Sequence, residues 1–582
     1  MTDQRNLFIA IVLSVAIMLG FQWLFPTKTT PPQATEQAGS AAQPQNPQSA
    51  APATGPTAAQ PPAVPGQAAV KATPAESRAA ALEKSRRIAV RTPNLHGSVA
   101  LTGARIDDIT LVKYREQADP KSPEISLLSP AAAPEPYYAE FGWVPADASV
   151  KVPGPETIWT PVKPGAELTP ANPVSLMWDN GEGLRFVRTY TVDENYMFTV
   201  AQRVENYGDK PAGLHPYALV ARTGTPPIAG MYILHEGPLG VFDGTLKEVK
   251  YEDLRKEGSI RLKTAGGWAG ITDKYWLTAL VPTDRSEVTG RFVHQRLDNG
   301  ADRYQVDYLG SVKVVEPGKS QEAGFNFFAG AKQVKLLDGY ADQYKIDRFD
   351  LAIDFGWYYF LTKPFFYLLQ MLNTALGNMG LAILALTVLI KLAMFPLANK
   401  SYVAMSKMKT LQPDIKALQE RYPDDKVRMQ QEMMALYKRE KVNPVSGCLP
   451  MLVQIPVFFA LYKVLFVAIE MRHAPFYGWI HDLSAQDPTN IFTLFGIIPW
   501  TPPTFMELGI WPLIMGVTMW LQQKLNPQPA DPIQAKMFQF LPIIFTFLLA
   551  NFASGLVIYW AWSNALSILQ QWVIMRKAGV KS

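Results

Sequence analysis

Few positions in this 582-residue chain pair a chargeable side chain with a spacing that could put it to use. Lys391 stands out, as the one cation in the apolar run Gly377–Ala398, GNMGLAILALTVLIKLAMFPLA. As a helix this run would be about 30 Å long, enough to cross the hydrocarbon core of a bilayer. A lysine at the centre of such a span costs on the order of 3 kcal/mol, and less as it nears the interface. Thr387 lies four residues earlier, so hydroxyl and ammonium share one helix face among Leu, Ile, Val, Ala and Met. Two readings follow: a lysine snorkelling to the headgroups, with Pro396 and Lys400 close behind, or a lysine lining a hydrated intramembrane cavity.

Other chemistries find little support. The six histidines (His96, His215, His235, His294, His473, His481) form no i,i+4 pair and no HExxH, and Cys448 is the only cysteine, which removes intrachain disulfides and cysteine metal clusters. No GxxxxGK[ST] occurs, so nucleotide hydrolysis is not expected, nor is any cofactor or metal, and the chain is not read as an enzyme. His215, His235, Glu236 and Trp268 could line a sugar cleft, although core or loop histidines with satisfied hydrogen bonds are the plainer reading. A net charge of +5 is too small and too dispersed to argue for nucleic acid.

The elements that must carry Lys391 follow from composition: 48% hydrophobic, 11% aromatic and 18% charged residues describe a membrane protein with sizeable aqueous parts. Residues 1–25 hold a 19-residue apolar run, Leu7–Phe25, read as an uncleaved signal anchor with its N-terminus in the cytosol; a cleaved signal peptide is the alternative. Residues 26–85, rich in Pro, Ala and Gln, read as a disordered tether. Residues 86–337 alternate with period two between Gly and Pro punctuation, as in Val174–Val192 around Asp179-Asn180-Gly181, and predict a large all-β sandwich outside the cytosolic membrane. Residues 338–376 read as a connection and interfacial amphipathic helix, dense in aromatics.

After the span at 377–398, residues 399–444 contain ten Lys or Arg against six Asp or Glu and predict a cytosolic helical hairpin. Its first arm is expected as one helix from Met405 through Met408 to Tyr422, and its second carries Met429 and Met433 on one face, a surface suited to apolar segments. Further spans are expected at 445–467, 508–525, 537–552 and 555–575, separated by an outer loop at 468–507 and an inner loop at 526–536, with a cytosolic tail at 576–582. That makes six transmembrane helices, five of them in the C-terminal core. The outer loop has one Arg and no Lys and is rimmed by Trp479, Trp500 and Trp511. Gln454, Asn551, Ser563, Asn564, Ser567 and Gln570 recur inside the spans; singly each reads as a helix–helix hydrogen bond, and together with Lys391 they could line one compartment.

The stretches Gly447–Tyr462 (GCLPMLVQIPVFFALY), Glu432–Pro444 (EMMALYKREKVNP), Trp479–Pro488 (WIHDLSAQDP) and Ser554-Gly555-Leu556 resemble the YidC membrane-protein insertase family, in its Gram-negative form. The resemblance implies a bacterial inner-membrane protein that inserts and folds membrane proteins, alone or with the Sec translocon. It implies a β-supersandwich in the periplasm, similar to sugar-mutarotase folds, both termini in the cytosol, and a hydrophilic groove open to cytosol and lipid. Lys391 falls at the family's groove cation, where relatives usually carry arginine; the charge is kept and the planar fork is not. Thr387, Gln454, Ile455, Phe458 and Tyr559 match groove positions, and Trp560 stands where a second tyrosine is common. Implied partners are nascent membrane proteins, lipid, the Sec translocon, the ribosome and the signal-recognition-particle receptor, although the few residues after Arg576 argue against ribosome docking through a basic tail. An insertion around Ile491–Glu507 departs from the family pattern. Rival readings are a chaperone that depends on a separate translocon, a secondary transporter, for which no inverted repeat is visible, and a membrane-anchored carbohydrate enzyme, which leaves the later spans unexplained.

Overall fold

The computed structural model describes residues 64, 76–227, 234–423, 425–440, 442, 449–495, 497–500, 502–503, 506–526 and 532–577. The expected anchor, most of the expected tether, and Gly447 and Cys448 of the family-like motif lie outside the described residues. Where the tether is described it ends in structure: helix α1 (Arg78–Glu83) is capped by Ser77, buries Ala81 and pairs Arg78 with Asp108. Val64 is buried among Tyr138, Tyr217 and Leu219. The boundary at residue 85 is therefore too late, because a few apolar residues suffice to dock a segment whose overall composition is polar.

The β region is two antiparallel sheets of ten and nine strands, packed face to face. The expected hairpin forms from Val174–Asp179 and Leu184–Val192. Its turn is fixed by Asn180, whose side-chain oxygen accepts from Glu182 N at 2.8 Å and Leu184 N at 2.9 Å, while Gly181 adopts φ 74°. Alternation sends Leu184, Phe186, Tyr190 and Val192 inward. The sheets meet through aromatic rings: Phe141 of one lies 6.4 Å and 6.0 Å from Phe325 and Phe327 of the other. Helix α2 (Tyr251–Glu257) closes one connection, and α3 (Val334–Gln343) leads out of the last strand.

The helices that follow are α4 (Tyr359–Leu376), α5 (Met379–Ala393), α6 (Phe395–Thr410), α7 (Gln412–Arg421), α8 (Lys426–Arg439), α9 (Leu449–Val467), α10 (Ile510–Leu525), α11 (Pro532–Leu548) and α12 (Ser554–Lys577). Helix α12 is the post of the bundle, packed against α5, α6, α9 and α10, and it buries Tyr559, Ser563, Asn564, Ser567 and Gln571. The C-terminal end of α9 is held from two sides: its Lys463 pairs with Asp354 of the connection after α3 at 2.7 Å, and just past its end Arg472 donates to Glu116 O of the β domain at 3.1 Å while covering the Trp276 ring.

Two helix expectations are corrected. The span expected at 377–398 is not one helix: α5 stops at Ala393 and α6 leaves it at 67°. Pro396, in the first turn of α6, lacks the N–H that would continue the ladder, and its ring excludes the carbonyl four residues back. The hairpin arm expected from Met405 to Tyr422 likewise breaks at Leu411, where Pro413 opens α7. Among the described residues no single helix is both long and apolar enough to cross a membrane, and the bent pair α5–α6 meets that test only jointly.

Candidate functional site

The break after α5 puts Lys391 in the last turn of that helix, where the exposed carbonyl ends favour a cation. Its Nζ donates to Ser567 Oγ of α12 at 2.8 Å. Ser567 Oγ donates to Ser563 O at 2.9 Å. One serine hydroxyl thus both donates within α12 and accepts from Lys391, and it ties α5 to α12. Among the described residues only one of the three N–H groups of Lys391 meets a protein acceptor, and no carboxylate bears on it.

The polar line continues along α12. Tyr559 accepts from Gln454 Nε2 of α9 at 3.3 Å, and Ser563 lies one turn further along the same helix. Tyr559, Ser563 and Ser567 recur every four residues, a period close enough to 3.6 that their side chains form one stripe about 12 Å long. Thr387 lies on the same side of α5, buried, with its hydroxyl donated to Ile383 O at 2.7 Å. It shapes the wall, while its proton stays within its own helix.

An aromatic bank flanks the seam. Phe458 of α9 stacks on Trp560 of α12 with ring centroids 4.6 Å apart, and Trp560 meets Phe545 of α11 edge-on at 6.2 Å. Tryptophan at 560 thus spans from α9 to α11. Ile455 is exposed and stands outside this cluster. The structure also brings in residues that sequence reasoning missed or misassigned. Trp562 Nε1 donates to Leu384 O at 3.2 Å, locking α12 to α5. Gln571, buried, donates to Leu525 O at 3.1 Å in the place expected of Gln570, because 571 continues the four-residue stripe and 570 does not. Met405 and Met408 on α6, and Met429 and Met433 on α8, are half-buried, and Met434, not singled out from sequence, is the exposed one.

The sugar-cleft constellation does not assemble. Trp268 is fully buried with its ring edge-on to Phe349, His215 bonds Gly310 O, His235 bonds Pro238 O, and Glu236 accepts from the Lys274 backbone.

Comparison with known proteins divides the chain where the architecture does. Residues 87–368 match the family described as YidC periplasmic domain, and residues 371–581 match the 60Kd inner membrane protein family. The class is therefore an inner-membrane protein carrying a large periplasmic β domain. The chain is 49% identical over 621 residues to the membrane protein insertase YidC of Bradyrhizobium diazoefficiens, covering 100% of this chain and 97% of that protein. It is 50% identical to the insertase of Granulibacter bethesdensis, with 99% and 98% covered. A solved active YidC insertase with its first transmembrane domain resolved aligns at TM-score 0.35 and 19% identity, covering 83% of this chain and 91% of that one. The chain belongs to the YidC family of membrane protein insertases.

Proposed function

We propose that this protein inserts hydrophobic segments of nascent membrane proteins into the inner membrane, with the Lys391 seam as the place where their polar flanks are received. The observation that carries this reading is an ammonium at the end of α5 with an anchoring serine but no carboxylate partner among the described residues. An acidic flank of a client supplies the missing acceptor. The flank then crosses partway along the hydroxyl and amide groups of Ser567, Ser563, Tyr559 and Gln454, avoiding the full cost of desolvation in hydrocarbon. The apolar segment leaves sideways into lipid, driven by its own transfer free energy. No bond is made or broken, so the seam needs no nucleophile.

In this reading the chain has six spans with both termini in the cytosol, the seam opens to cytosol and lipid, and α5 and α6 together make one bent crossing. The methionines of α6 and α8 meet the client first, as a soft apolar surface. The Sec translocon, the ribosome and the signal-recognition-particle receptor are proposed partners on the family resemblance.

The test is protease protection of a small, acidic-tailed, Sec-independent membrane protein added to liposomes that contain only this chain. Protection is expected with the native chain and with Lys391→Arg, and its loss with Lys391→Leu. Equal protection by the Leu form refutes the charge-attraction step. No protection above empty liposomes, with correctly oriented protein, favours a chaperone that depends on a separate translocon.

A further inference from the structure

At the outer end of the bundle, a cleft of about 380 Å³ lies between the β domain and the helices. One side is polar: Lys274, from the turn between strands Trp268–Thr272 and Trp276–Pro282, with Ser484 and Gln486 of the outer loop and Asn551 of the α11–α12 turn. The other side is apolar, with Tyr462 and Phe466 prominent. The cleft is incomplete without the β domain, since Lys274 is its one cation.

The Lys274 ammonium reaches over the membrane helices, 3.9 Å from the ring centroid of Phe466 on α9 and 4.9 Å from that of its neighbour Tyr275. The nearby carboxylates, whose charges bear on this ammonium, also hold other donors. Glu236 accepts the backbone N–H of Lys274 at 3.0 Å, and Asp482 accepts from Ser484 N and Oγ and from His473 N. Burial brings the Lys274 ammonium down to about 8, against the opposing pull of Glu236 and Asp482 and with a small push from Arg472. A cation half withdrawn from water beside aromatic faces calls for an anion. The remaining donors are neutral amides, Asn551 and the second N–H of Gln486, whose first N–H goes to Glu507. One positive charge with two amide donors complements a monoanionic phosphodiester. On α11, the helix that leads into the Asn551 turn, Ile543, Ile544, Phe547 and Leu548 are exposed.

We propose that this cleft is a phospholipid site, in which the phosphodiester of an outer-leaflet lipid lies against Lys274, Asn551 and Gln486 and its acyl chains descend along α9 and α11. The β domain then contributes a headgroup contact at the outer edge of the gap between those helices, and lipid, not protein, closes that gap. Free phosphate offers the same anion without the chains, and the experiment separates the two.

Full-length protein, stripped of lipid in detergent, is titrated with dioleoyl phosphatidylglycerol, with dioleoylglycerol, and with inorganic phosphate, and bound species are read by native mass spectrometry. One phospholipid per chain is expected to be retained, with dioleoylglycerol bound weakly and inorganic phosphate unable to displace the lipid. Lys274→Gln is expected to weaken retention about tenfold, the worth of one charge-assisted hydrogen bond, and Lys274→Arg to keep it. Asn551→Leu, at an exposed position, is expected to weaken it about threefold and serves if the Gln form does not fold. Equal retention by native, Gln and Leu forms overturns the site. Displacement by inorganic phosphate, or equal binding of dioleoylglycerol, overturns the assignment to a phospholipid.

Discussion

Replacing Glu470 by glutamine should stabilise the protein above neutrality and leave it unchanged in acid. Glu470 follows α9 directly, in the short turn Ile469–Met471, and its Oε2 is buried with no hydrogen-bond partner among the described residues. Burial raises its carboxyl to about 7, opposed only by its own backbone and the Lys335 charge. The folded protein keeps this proton up to about pH 7, whereas the unfolded chain releases it near 4.5. The stability it contributes is complete below 4.5 and is lost as pH rises through 7, a difference worth ~3 kcal/mol. Glutamine keeps the shape and cannot ionise, so the variant should gain up to ~3 kcal/mol over the native chain at pH 8 and nothing at pH 4.5. His235 works in the opposite sense. Burial lowers its imidazole from 6.5 to about 4, so its contribution is complete above 6.5 and lost as pH falls through 4, again by ~3 kcal/mol. Between about pH 4.5 and 6.5 the two slopes nearly cancel in the native protein. Removing Glu470 should expose the acid limb of His235 as a steeper fall below pH 6.5. Thermal unfolding of the full chain in detergent at pH 5, 6.5 and 8 measures both effects. A Glu470→Gln form less stable than native at pH 8 would show an ionised, well-solvated carboxylate and refute the argument.

Two further outcomes test the joints of the fold. Lys463→Met should cost about 2 kcal/mol by leaving Asp354 without its 2.7 Å partner, and adding Asp354→Asn should recover part of that loss, as read from hydrogen exchange of the 354–356 backbone. Gly516→Ala in α10 should destabilise the bundle by about 1–3 kcal/mol, because the new Cβ would sit 2.1 Å from the Thr546 hydroxyl of α11, and Thr546→Ala should rescue it in a thermal-unfolding series.

Much of the β domain was legible because its code is local. Period-two alternation and the Asp179-Asn180-Gly181 turn are written in adjacent residues, and the hairpin from Val174 to Val192 follows from them. Helix ends were less legible, since apolar content does not mark them. Gly377–Ala398 reads as one greasy run, yet the backbone chemistry of Pro396 divides it, and Pro413 does the same to the arm that begins at Met405. The end of the tether was missed for the converse reason. Arg78 and Ala81 look unremarkable within a polar segment, and Asp108, the partner of Arg78, lies thirty residues away.

The seam shows where sequence reasoning stops. Lys391 was visible as an anomaly, a charge in an apolar run, but its value depends on what faces it. That partner, Ser567, lies 176 residues downstream. The signal for the partner was present in α12, whose Tyr559, Ser563, Ser567 and Gln571 repeat every four residues, a helical stripe as regular as any apolar one. Hydropathy counts these residues as interruptions of a span, which is why α12, long enough at 24 residues, still fails a test of apolarity. In a bundle whose central helix is buried on nearly all sides, polar side chains face other protein groups and satisfy one another. Lys391 differs from the other members of the seam in one respect: among the described residues its ammonium meets a single acceptor, Ser567 Oγ, so in the insertion reading proposed above its two remaining N–H groups are the part of the seam that a client's carboxylate would complete.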